Sequence, residues 1–213
     1  MLLQQRMAHL GIAYQARVKS LGVGMGGGRR RNAQVLTSRL LDFRRRLPRW
    51  QRLRRSGVDT HRLLRTGGKA ALTYGCATTG VSNTMLARQR RAAALAAAPA
   101  NGSGGQHTDM ALVMADGGLS GKADPAFDAH EQPIGQWSMA CWELWLPACS
   151  LLHLAAKAKA ALLRPGHIWA RVRGPGAAMV ASCARLGWSV TDAFSLVTDQ
   201  GKLLHLRIDP QPW

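Results

Sequence analysis

Residues 32–55 read NAQVLTSRLLDFRRRLPRWQRLRR, and this stretch decides the fold class. Leu36, Leu40, Phe43, Leu47 and Trp50 recur at spacings of four and three, which lines them along one face of a helix. Asn32 stands where an N-cap belongs. Between the apolar positions stand Arg39, Arg44, Arg45, Arg46, Arg49, Arg52, Arg54 and Arg55, so the faces away from the stripe are nearly all guanidinium. Pro48 is expected to kink or split this helix, because its ring removes a donor and crowds the preceding turn.

Toward the N-terminus, residues 11–23 (GIAYQARVKSLGV) alternate as a short strand or a pair of strands would, and the glycine-rich run Gly22–Gly28 closes them with a turn. Toward the C-terminus, Asp59 caps a second helix through Leu63 and Leu64 to Tyr74, weakened in its middle by Gly67-Gly68. A third helix is expected from about Asn83 to Ala98. Residues 99–106 (PANGSGGQ) have linker composition, and turns are expected at Asp116-Gly117-Gly118 and Ser120-Gly121. Further helices are placed at about 134–146, 151–163 and 175–186, and residues 188–208 read as short strands around an Asp199-Gln200-Gly201 turn. The expected fold is mainly α with short β elements near both ends, an α+β chain made of an open helical array and a small C-terminal α/β segment. This divides the chain into three regions: 1–100 basic and helical, 101–123 a Gly/Pro-rich linker with turns, and 124–213 a neutral helical domain ending in a hairpin.

The chain has 213 residues, 46% of them hydrophobic, so it is long enough to bury a core. Its formal charge of +18 is lopsided. Residues 1–100 hold 20 Lys and Arg against Asp42 and Asp59 alone, whereas residues 101–213 hold nine bases and nine acids. A domain this one-sided repels itself unless a polyanion offsets the charge, and phosphate is the obvious counter-charge. Arginine predominates, and a planar guanidinium binds phosphate through two parallel hydrogen bonds and stacks on bases. RNA or DNA phosphate backbone is therefore the expected partner. The residues expected to contact it are Lys19, Arg29, Arg30, Arg31, Arg39, Arg45, Arg46, Arg49, Arg52 and Arg55.

Other chemistries find less support. Gly22-x-Gly24-x-x-Gly27 with Asp42 matches the spacing of a dinucleotide fingerprint, but the helix after it opens with Arg29-Arg30-Arg31 and no long βαβ unit continues. Gly67-Gly68-Lys69 lacks the spacing and hydroxyl of a phosphate-binding P-loop. Asp124, Asp128, His130 and Glu131 cluster within eight residues, in a spacing that suits helix capping better than any metal loop, so neither metal nor other cofactor is expected. Cys76, Cys141, Cys149 and Cys183 form no metal-binding spacing and read as reduced, mostly buried thiols. Trp137, Trp142 and Trp145 read as core or interface aromatics, and no apolar run approaches the length of a membrane span. Nothing pairs a nucleophile with a base, so no catalytic residue is assigned.

At Val18-Lys19-Ser20-Leu21-Gly22-Val23 the chain resembles the strand-and-turn that closes the palm of reverse transcriptases encoded by non-LTR retroelements. In that family an Arg- and Leu-rich helical thumb comes next, then a segment similar to Ala71-Leu72-Thr73-Tyr74-Gly75. Residues 123–130 (ADPAFDAH) and 133–137 (PIGQW) are similar to a stretch in one group of such retroelement polyproteins. The resemblance implies a primer-grip role for Leu21, Gly22 and Val23, and a chain that begins after the catalytic palm. The family polymerises through an Asp-Asp pair that holds metal ions, and no such pair occurs here. The implied protein is then a thumb and post-palm fragment of an RNA-directed DNA polymerase, whose partner would be the missing palm of a longer polyprotein. Two alternatives remain at the level of sequence: a stand-alone structural RNA- or DNA-binding protein of organellar ribosomal type, and a small-molecule enzyme built in the neutral half. The retroelement reading implies a nuclear location. The acid-free first 41 residues suit a mitochondrial one, although no processing boundary is visible.

Overall fold

A computed structural model describes residues 17–20, 23–26, 31–98, 107–118, 121–143, 146–163 and 167–206. The protein is mainly helical, with a small antiparallel sheet near the C-terminus and a hairpin near the N-terminus. Strands β1 (Arg17–Ser20) and β2 (Val23–Gly26) pair antiparallel, Ser20 opposite Val23 and Arg17 opposite Gly26. Part of the glycine-rich run thus lies inside a strand.

Helix α1 (Gln34–Arg55) is next, and the sequence stripe explains it. Leu36, Leu40 and Phe43 are buried, and Leu47 and Trp50 pack partly buried against the same core. Asn32 Oδ1 accepts from the Gln34 amide at 3.2 Å, satisfying one of the orphan donors at the helix start. Arg52, Arg54 and Arg55 lie in the last turn, where the helix dipole favours cations. Pro48 does not split the helix, which runs unbroken for 22 residues. Its neighbours Arg44 and Arg49 are exposed, so water can take the carbonyl that Pro48 leaves without an amide partner.

Asp59 caps the next helix as expected, accepting from the His61 and Arg62 amides at 2.9 and 3.3 Å. This helix changes pitch twice: α2 (Thr60–Leu63) opens into a π-helical turn at Leu64–Gly68, then tightens into α3 (Lys69–Thr73). The wide turn coincides with the Gly67-Gly68 pair. A Cβ on Gly68 would lie 2.8 Å from the Trp50 ring, so the glycine lets α1 approach closely. Tyr74 ends α3, and Gly75 turns the chain at φ +83° beneath the hairpin, where its Cβ would meet Val23 Cγ2 at 3.1 Å.

Helix α4 (Cys76–Thr79) leads to α5 (Asn83–Ala97), whose buried face is made largely of Ala92, Ala93, Ala96 and Ala97. Helix α6 (Thr108–Asp116) packs across α5. Linker and turns were the expectation there, yet burial of Ala111, Leu112 and Ala115 along one face supports a nine-residue helix. Helix α7 begins at Pro125 and ends at Trp142, starting nine residues earlier than the sequence suggests, because Asp124 caps it and Pro125 occupies the first turn. Pro133 lies inside α7, and Ser182 Oγ donates to the Ala129 carbonyl, which Pro133 leaves without its helical partner, at 3.4 Å.

Helices α8 (Ala148–Leu162) and α9 (Pro175–Arg185) flank a 3-10 turn at Ile168–Arg171. The strands β3 (Ser189–Val190), β4 (Ser195–Val197) and β5 (Leu203–His205) form a meander, with Gly201 at φ +77° in the expected turn. One apolar core runs from Leu36 to Ala129 and a second from Ile134 to Leu206. The two cores adjoin within α7, whose Trp137 donates to the Ala193 carbonyl at 2.8 Å. Helix α6 and the first turns of α7 pack over α5.

Candidate nucleic-acid interface

The arginines divide by what their guanidinium groups touch. On α1, the residues opposite the apolar stripe are Arg45, Arg49 and Arg52, and all three are exposed. Arg46 on one flank and Arg44 and Arg55 on the other are exposed as well. Asp42 is the one acid on this helix, and it meets Arg45 at 3.4 Å with both side chains well solvated, a pairing worth little. The outer surface of α1 is thus a row of solvated guanidinium groups with almost no internal neutralisation. Lys19, on β1, is exposed too.

A second set is turned inward. Arg31 is half-buried and donates to the Gly80 carbonyl, and burial pulls its pKa down to about 10. Arg54, which falls on the apolar side of α1, donates to Thr60 Oγ1 at 3.0 Å and to the Ala96 carbonyl, tying α1 to the start of α2 and the end of α5. Arg65 donates to the Ala115 carbonyl at the end of α6 at 2.7 Å. Arg90 is clamped by Asp124 at 2.7 Å and Asp109 at 2.7 Å, and its hydrogen bonds to Asp124 raise its pKa. Arg185 stacks 4.0 Å from the Trp169 ring and donates to the Val81 carbonyl; burial and the neighbouring Arg31 charge lower it to about 10. Arg31, Arg54 and Arg65 thus close the ends of helices, where backbone carbonyls lack amide partners.

Arg39 lies between the sets. It donates to the Tyr74 carbonyl at 2.8 Å and stacks 4.6 Å from the centre of the same ring. Of the residues expected from sequence, Arg45, Arg46, Arg49, Arg52 and Arg55 thus share one exposed helix surface, Arg39 borders it, and Arg31 is engaged within the fold. Arg29, Arg30, Leu21 and Gly22 lie outside the described residues, whereas Val23 meets Gly75, beside Tyr74. Val23 of the hairpin and Gly75 at the end of α3 are therefore neighbours in the fold. The Arg39–Tyr74 stack has no sequence signal, because the partners are 35 residues apart and no spacing marks them.

The acidic cluster at the start of α7 serves the fold. Asp124 caps α7 and holds Arg90, and Asp128 is buried against Lys69 Nζ at 2.6 Å and Thr73 Oγ1 at 2.6 Å. His130 Nδ1 lies 2.6 Å from the Ala126 carbonyl. Burial and the adjacent Asp128 raise the Glu131 carboxyl above the ordinary range. Among the described residues no group of three or more His, Cys, Asp or Glu is placed to hold a metal ion. Nor is any helix among them long and apolar enough to cross a membrane.

Searches against family models, curated proteins and solved structures found no match to this chain.

Proposed function

We propose that the protein binds nucleic-acid phosphate backbones through the outer surface of α1, with Arg45, Arg49 and Arg52 at its centre. The observation that carries this reading is the exposure of six arginines on one helix whose single acid is Asp42. A helix stabilised for its own sake mixes charges at spacings of three and four, and like charges there destabilise it. Dipole stabilisation explains the last turn only. The burial of the apolar stripe fixes this surface outward, so the charge is available to a partner.

The reading suits a thumb-like element of a retroelement reverse transcriptase, with the palm supplied by another part of a longer polyprotein. It suits a structural RNA- or DNA-binding protein equally, and contact with phosphate is common to both. Fluorescence anisotropy with a labelled blunt duplex tests it. Affinity should fall by roughly a thousandfold or more between about 50 and 200 mM salt, with little dependence on sequence. Affinity insensitive to salt would refute it.

A further inference from the structure

We propose that the groove between α1 and α3 is a subsite for one unpaired nucleobase, which stacks on the Arg39–Tyr74 pair while Arg46 holds the adjoining phosphate. The inference rests on the phosphate-backbone reading above and adds a feature that α1 alone lacks. The groove is open to solvent and has a volume of about 550 Å³, room for one base. It is lined by Arg39, Asp42, Phe43 and Arg46 from α1 and by Ala70, Ala71 and Tyr74 from α3 and its end.

Three properties select a nucleobase. First, the flat surface is already assembled: the Tyr74 carbonyl anchors Arg39 at 2.8 Å, and the guanidinium lies against the ring, so little freedom is lost when a base stacks. Half of Tyr74 stays exposed, so the platform is reachable. Secondly, the charge at the mouth is positive, with Arg45 and Arg46 exposed beside the groove and continuous with the proposed backbone surface. A base entering from a strand bound along α1 would bring its own phosphate to Arg46. Thirdly, the Asp42 carboxylate lines the wall and can only accept hydrogen bonds. It therefore favours a base edge that carries adjacent amino and imino donors, as guanine does, over one whose single imino donor is flanked by carbonyls, as in thymine or uracil.

A base inside a duplex cannot enter, because its pairing edge and both faces are occupied, and a base at a blunt end keeps its pairing edge occupied and so cannot meet Asp42. The groove thus distinguishes single-stranded ends from blunt duplex, a distinction the arginine surface does not make. The test compares a blunt duplex with the same duplex bearing a short overhang that contains 2-aminopurine. The intact chain should bind the overhang form more tightly and quench the 2-aminopurine on binding. Tyr74→Ala should lower overhang affinity roughly five- to hundredfold and restore the fluorescence, while blunt-duplex affinity and its salt slope stay as in the parent. Tyr74→Phe should retain the quenching. Ala70→Leu, which adds bulk to the groove lining one turn before Tyr74 and keeps the ring itself, should reproduce the Tyr74→Ala loss and covers the case in which that variant fails to fold. Unchanged quenching and affinity in Tyr74→Ala and Ala70→Leu would overturn the subsite and leave the arginine surface standing. Failure of the parent to bind either duplex would overturn both.

Discussion

Replacing Arg45, Arg49 and Arg52 together with Gln removes the centre of the exposed charge and little else. Gln matches Arg in helix propensity, and none of the three side chains is buried. The one ion pair lost, Arg45 with Asp42, joins groups that are 79% and 52% exposed, so its removal leaves stability within about 0.5 kcal/mol. Each phosphate contact contributes about −0.9 to the slope of log affinity against log salt for duplex DNA. With all six exposed arginines of α1 engaged, the slope is about −5.4, and a fourfold rise in salt weakens binding about two-thousandfold. The triple variant keeps three contacts, a slope of about −2.7 and a loss of only about fortyfold over the same range. Anisotropy titrations at several salt concentrations measure both slopes, and circular dichroism confirms that the helix is retained. Leu40→Ala is the contrasting perturbation: Leu40 is 3% exposed, and its truncation costs about 2–5 kcal/mol through the cavity left behind, so binding falls only as the fold does. A triple variant with the parental slope would refute the assignment of these arginines to phosphate.

Gly67 and Gly68 should respond oppositely to alanine in denaturant melts. Gly67→Ala meets open space and should gain up to about 1 kcal/mol, whereas Gly68→Ala drives a Cβ to 2.8 Å from Trp50 and should lose about 1–3 kcal/mol. His130 is held below its ordinary pKa by burial and by the Arg185 charge, although the Ala126 carbonyl acts the other way. Its neutral form is the one the fold prefers, so its contribution is present above the unfolded value of 6.5 and is lost as pH falls through the depressed folded value; His130→Gln should flatten that part of the stability profile. Iodoacetamide should modify Cys149 alone in the folded chain, because Cys76, Cys141 and Cys183 are buried and burial raises the Cys183 thiol to about 12 and Cys76 further still. Intact mass spectrometry would show one adduct, rising to four on unfolding.

The elements that could be read from sequence are those whose signal is local. The stripe from Leu36 to Trp50, the Asp59 cap and the Asp199-Gln200-Gly201 turn each declare themselves within a few helical turns of chain, and each is found where expected. Pro48 and Pro133 sit inside helices for a shared reason: a proline forbids only one hydrogen bond, and water or a remote hydroxyl such as Ser182 can satisfy the carbonyl it leaves. Helix α6 is short and flanked by glycine-rich chain, so its three buried apolar residues carry too little periodicity to reveal it. The arginines are the hardest to assign. Arg52 and Arg54 stand two residues apart with identical chemistry, yet one faces solvent and the other caps the end of α5, a difference set by which side of α1 meets Thr60 and Ala96. Net charge reveals a partner's sign, but burial decides which cations are available to it.

The methyl-lined face of α5 sets how this protein can tolerate sequence drift. Ala92, Ala93, Ala96 and Ala97 have no rotamers to adjust, so a larger residue at any of them is admitted only if the backbone moves. The backbone there is also an anchor, since the Ala96 carbonyl receives Arg54 and the Ala97 carbonyl lies 3.1 Å from His61 Nε2. A single added ethyl group on this face would therefore loosen contacts on two other helices at once. Substitution should be nearly unrestricted along the solvent side of the arginine helix and nearly frozen along the alanine one, which makes the plainest residues in the chain the least replaceable.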